Sequence, residues 1–150
     1  MTLTTYVLIS FGENPDLHTQ ANFCFLTMKK FAGENAKFVI YTDQPKFYKW
    51  VSSFVEIRTI SQDQIKTWIG KHNYFYRVKL EALLHAALAN TGHLVYLDSD
   101  TIAAKNLAEM IAKMNEGQSF MHLKENLILQ HVKAISDPNF WNCSSFLLLV

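Results

Sequence analysis

The sequence is short of cysteine, of charge of either sign and of long hydrophobic runs. Its two cysteines, Cys24 and Cys143, lie far apart in apolar surroundings. That spacing excludes a disulfide framework and a CxxC metal pattern, so both read as buried small hydrophobes in a reducing compartment. Fourteen basic against thirteen acidic residues leave a formal charge of +1, which gives no electrostatic footprint for nucleic acid or an anionic membrane surface. No apolar stretch approaches the roughly 20 residues needed to span a bilayer. Tyr6-Val7-Leu8-Ile9 has no preceding Lys or Arg and no cleavage site after it, so it reads as a strand and not a signal peptide. These absences together predict a cytoplasmic protein. Neither a Gly-rich dinucleotide fingerprint nor a P-loop follows any strand, and there is no internal repeat, low-complexity segment or linker.

What is present is apolar and alternating. Of the 150 residues, 49% are hydrophobic and 18% charged, a balance that excludes disordered, collagen-like and coiled-coil chains and suits one domain with a sizeable core. Short apolar runs predict strands at Leu3 to Phe11, Phe38 to Thr42, Phe54 to Ile57, His93 to Leu97, Ser119 to His122 and Ser144 to Val150. Helical patterns occupy Leu17 to Phe31, capped by Asn14 or Asp16, a short stretch around Phe47 to Val51, and Ser61 to about Gly70. Ser61 and Gln64 have capping-box spacing. Two further helices run from Tyr76 to Leu88, stopped at Asn90-Thr91-Gly92, and from Leu107 to Met114. Strands alternating with helices predict an α/β fold with a mostly parallel sheet flanked by helices. In such sheets ligands bind at the carboxyl ends of the strands. The last five residues, Phe146 to Val150, are all apolar with no turn beyond, which predicts that the chain is part of a longer domain.

Asp98-Ser99-Asp100 stands at the carboxyl end of a fully apolar strand. Two carboxylates one residue apart repel each other and gain little from packing, but both are satisfied by a divalent cation that prefers hard oxygen ligands. Such a cation links the carboxylates to a diphosphate and stabilises charge on a leaving group. The competing reading, Asp as a turn residue, is the usual fate of an isolated DxD; the buried strand before it and Thr101-Ile102 after it favour the metal.

The run Leu94-Val95-Tyr96-Leu97-Asp98-Ser99-Asp100-Thr101-Ile102, followed by Asn106-Leu107, resembles the DXD region of GT-A glycosyltransferases, most closely the glycogenin-like and galactosyltransferase-like group called family eight. Arg77-Val78-Lys79-Leu80 resembles the segment in which that family carries a donor-contacting Arg or Lys. Phe140-Trp141-Asn142-Cys143-Ser144-Ser145-Phe146 resembles its sugar-binding strand, and Ser10-Phe11 would lie beside the nucleotide base. The resemblance implies a GT-A, Rossmann-like donor domain over residues 1–150. It implies a nucleoside diphosphate sugar donor, with UDP-sugar first, a glycan, lipid or protein acceptor, and Mn²⁺ or Mg²⁺ held by Asp98 and Asp100. It also implies donor contacts from Lys79, Arg77, Asn142, Ser10 and Ser99. The family's third metal ligand is a His beyond the sugar-binding strand; His122 and His131 precede that strand and are not carried over. No catalytic base is identified, and retention or inversion stays open.

Each site residue also has an ordinary reading. Arg77 and Lys79 suit a solvated helix face, Asn142 and Asp43 suit turns, and Glu125 suits solvent. Tyr74-Phe75-Tyr76 suits core packing at a helix start. The six His residues show no metal-ligand pairing and read as structural or exposed. Two other functions compete: a non-catalytic nucleotide-sugar binder or scaffold, and a haloacid-dehalogenase-like phosphatase. The phosphatase pattern wants Thr or Val where Ile102 stands.

Overall fold

The computed structural model describes residues 2–120. Its centre is β1, Thr4–Ile9, whose six residues are all buried. A strand with apolar side chains on both faces must be covered on both, and here β1 is also hydrogen-bonded on both sides. It pairs in parallel with β2, Ala36–Thr42, from Thr4↔Ala36 to Ile9↔Tyr41. On its other side it pairs in parallel with β4, His93–Leu97, from Thr4↔His93 to Leu8↔Leu97. β3, Val55–Thr59, extends the sheet beyond β2, giving the order β3-β2-β1-β4.

Two of the helices start on side-chain caps that the sequence supplies. Asn14 Oδ1 accepts the Asp16 N–H at 3.0 Å and Pro15 fills the first turn, where its missing donor costs nothing. That starts α1, Pro15–Phe31, two residues before the predicted boundary. Ser61 Oγ accepts the Gln64 N–H at 3.1 Å, as the spacing predicts, and opens α2, Gln62–Ile69. α3 is Tyr76–Ala89 and α4 is Ala108–Asn115. Only a 3₁₀ turn, Pro45–Tyr48, forms where a short helix at Phe47 to Val51 was expected.

Period-two alternation divides the sheet's side chains between two layers. Tyr6, Leu8, Phe38, Ile40, Val95 and Leu97 pack under α1 and α4 with Phe25 and Met28. Val7, Ile9, Val39, Tyr41, Leu94 and Tyr96 pack under α2 and α3 with Ile65, Val78 and Leu83. The fold is therefore α/β and Rossmann-like, with a four-stranded all-parallel sheet flanked by helices on both faces. Among the described residues no helix is long and apolar enough to cross a membrane.

Two expectations fail. Ser119 and Phe120 form no strand, since Gly117, at φ +83°, ends the preceding helix and no neighbouring strand pairs with them. Tyr74, Phe75 and Tyr76 are 46%, 54% and 47% exposed, not core. The sheet-facing stripe of α3 is Val78, Ala82, Leu83 and Ala86; the aromatic triplet lies ahead of it. The expected strand Ser144 to Val150, together with Cys143, His122, His131 and Glu125, falls outside the described residues.

Candidate functional site

The chain moves from β1 to β2 to β3 on one side of the sheet, then returns to place β4 on the other side of β1. Adjacent strands whose connections run to opposite sides leave a crevice at their carboxyl ends. Asp98-Ser99-Asp100 follows β4 directly, and Ser10 follows β1, so both segments lie at that crevice.

Asp98 and Tyr96 are two residues apart in extended chain, so their side chains share the α3 face of the sheet. The Tyr96 hydroxyl donates to Asp98 Oδ1 at 2.8 Å. Lys79 descends from α3 and brings Nζ to the same oxygen at 3.0 Å. Its ammonium lies 5.6 Å from the Tyr76 ring centroid and 5.8 Å from that of Tyr96, close enough for cation–π attraction. The Asp98 side chain is 12% exposed, whereas Asp100 is open to solvent and Ser99 half-buried. Burial raises the Tyr96 phenol above its ordinary pKa; the Asp98 charge, its hydrogen bond and the Asp100 charge add to this. Tyr96 thus stays a donor. Burial also lifts the Cys24 thiol to about 12, helped by Asp100 and then Asp98. The free thiol of Cys24 is buried, as its surroundings imply.

The turn at this point is made by backbone: the Asp98 carbonyl accepts the Thr101 N–H at 3.0 Å. The Asp98 carboxylate is bonded instead to a cation and a phenol. Among the described residues no group of three or more His, Cys, Asp or Glu gathers to hold a metal ion. Mg²⁺ and Mn²⁺ are commonly bound through one or two carboxylates, with water and phosphate oxygens completing the shell. Asp98 and Asp100, hard-oxygen donors beside a crevice, fit that requirement.

The remaining sequence-derived residues separate. Arg77 pairs with Glu81, one helical turn on, at 3.1 Å. Lys79 and Arg77, two apart on α3, therefore serve different faces. Ser10 is buried, with Oγ 3.1 Å from His18 Nδ1. Asn142 lies outside the described residues.

Sequence reasoning gave no role in the site to Tyr96, His18 and Tyr48. A phenol in the otherwise apolar run His93-Leu94-Val95-Tyr96-Leu97, two residues before Asp98, was the available signal for the first. His18 is 1% exposed and stacks on Phe47 with ring centroids 4.5 Å apart. It faces the Gly12 carbonyl through Nε2 at 2.8 Å. A carbonyl only accepts, so Nε2 donates to it, while Nδ1 lies 2.7 Å from the Tyr48 hydroxyl. Asp43, at the end of β2, accepts the Gly12 N–H at 3.0 Å and the Gln62 side-chain amide at 2.6 Å. Together they hold the loop after β1. Burial raises the Tyr48 phenol to about 12, against the lowering effect of bonds with Ser10 and Thr42.

The chain matches no protein-family model and no curated protein.

Proposed function

We propose that this chain is the donor-binding domain of a metal-dependent glycosyltransferase of the GT-A type, taking a nucleoside diphosphate sugar, UDP-sugar first. The observation that carries this reading is the Asp98 carboxylate, held against a cation at the crevice between β1 and β4 with Asp100 exposed beside it. A side chain committed only to its turn would cap the local N–H groups; Asp98 Oδ1 instead accepts from Lys79, 19 residues away, and from the Tyr96 hydroxyl on the strand before it.

Asp98 and Asp100 would hold Mn²⁺ or Mg²⁺, which supplies charge neutralisation for a departing diphosphate. Tyr96 fixes the Asp98 carboxylate through a hydroxyl that stays protonated. Lys79 presents an ammonium on a flexible stem, suited to diphosphate oxygens. Transfer breaks the bond from the anomeric carbon to the diphosphate and forms one to the acceptor oxygen. The electron pair leaves on the diphosphate and the acceptor proton is released. Positioning and leaving-group stabilisation then supply the catalysis. The acceptor is a glycan, lipid or protein hydroxyl, and the setting proposed is the cytoplasm.

The test is calorimetric titration of UDP into the protein with Mn²⁺ and with EDTA, in parallel with Asp100→Asn. Binding that requires Mn²⁺ and is lost in the variant supports the donor site and justifies screening UDP-sugars for turnover. Equal heats with and without metal, or no binding at all, overturn it. Metal-dependent binding with no turnover of any sugar would instead identify a nucleotide-sugar-binding scaffold.

A further inference from the structure

We infer that Lys79 is the resident counter-ion of Asp98, and that a divalent cation enters this site by exchange with it once a diphosphate is present to receive the displaced ammonium. The inference rests on the function proposed above and concerns the order in which its parts assemble.

The Lys79 ammonium already sits on Asp98 Oδ1 at 3.0 Å, and Asp100 is exposed two residues on. The same oxygen takes the Tyr96 hydroxyl at 2.8 Å, so the most buried carboxylate of the motif is largely satisfied without any metal. An ion arriving alone meets a like charge on its ligand. Displacing Lys79 then costs it the Asp98 carboxylate, a stronger partner than the Tyr76 and Tyr96 rings beside it. A diphosphate removes the conflict. It brings negative charge both to the metal and to the ammonium, and the lysine stem is long and flexible enough to change partner. Each ligand therefore strengthens the other, and the coupling is equal in both directions.

The experiment measures Mn²⁺ affinity from the electron paramagnetic resonance signal of the free ion, with and without saturating UDP. It is applied to the full chain and to Lys79→Met, Lys79→Gln and Lys79→Arg. Thermal melts identify the folded variants, and Lys79→Gln serves if the thioether packs badly. In the wild type, UDP should tighten Mn²⁺ binding by about tenfold or more. Both charge-removing variants should bind Mn²⁺ alone about tenfold more tightly and lose most of the UDP effect, whereas Lys79→Arg keeps the wild-type pattern. Equal Mn²⁺ affinity in the wild type and Lys79→Met, with UDP still strengthening both, overturns the exchange and leaves the donor site standing. No Mn²⁺ binding by the wild type, with or without UDP, overturns both.

Discussion

Two clusters of polar residues occupy the same end of the same sheet, and they are satisfied in opposite ways. After β1 and β2, the protein consumes its own polar groups. Both nitrogens of His18 are bonded, to Gly12 and Tyr48, and both oxygens of Asp43 are bonded, to Gly12 and Gln62. After β4, two donors converge on one oxygen of Asp98, and Asp100 stands in solvent. A polar cluster that closes on itself rigidifies a loop. One that leaves a carboxylate open beside an ion pair retains the capacity to bind. Residue type alone does not separate the two, since Asp and aromatic side chains occur in both.

Substitution can break or sharpen that contrast. The largest effect on stability belongs to His18→Leu, which removes the hydrogen bonds of His18 with Gly12 and Tyr48 and its stacking on Phe47. A loss of about 3 kcal/mol is expected in urea denaturation. A loss below about 0.5 kcal/mol, ordinary for a surface change, would remove the basis for calling the cluster structural.

Alkali should strain both clusters. Tyr48 and Tyr6 are raised from 10.0 to about 12, both by burial, and Tyr96 is raised as well. Their neutral forms are favoured by folding, so the stabilisation is complete below pH 10 and is lost as pH climbs through about 12. Urea midpoints stepped across that window should fall, with tyrosinate absorbance appearing as the chain unfolds. A flat midpoint would contradict the burial of these phenols.

The smallest effect on stability belongs to Asp100→Asn, within about 0.5 kcal/mol of wild type, even though the same change should abolish metal-dependent UDP binding. A large stability loss in this variant would make Asp100 part of the scaffold and erase the contrast.

The sequence disclosed these clusters unequally. β4 matches its predicted bounds, His93 to Leu97, because Gly92 precedes a continuous apolar run and a carboxylate ends it. The α2 cap was legible for a similar reason: Ser61 and Gln64 are near neighbours, and their bond is local. Asp98 and Asp100 stood out by chemistry and position. Lys79 was named as a donor contact but not as the partner of Asp98, since that bond spans 19 residues, and the bond from Gly12 to Asp43, which spans 31, was hidden in the same way. Asp43 beside Pro45 reads as a turn residue because turns are local, whereas its tie to Gly12 exists only after β1 and β2 pair. α3 was clear as a helix, but Leu and Ala surround it, so periodicity could not assign its faces. The exposed side chains of Leu80, Leu84 and Leu88 show the result.

The position of β1 has a consequence in time. It leaves the ribosome before both of its partners and receives β2 early, but β4 begins only at His93. At about 5–20 residues per second, synthesis takes several seconds to cover the roughly eighty residues between Ile9 and His93. Through that interval one edge of Tyr6-Val7-Leu8-Ile9 presents unpaired amides and carbonyls on an apolar strand, a template for pairing with other nascent chains. The step that removes this hazard is the arrival of β4, which also delivers Asp98 to the crevice. In this fold, protection from misassembly and completion of the crevice edge occur in the same event.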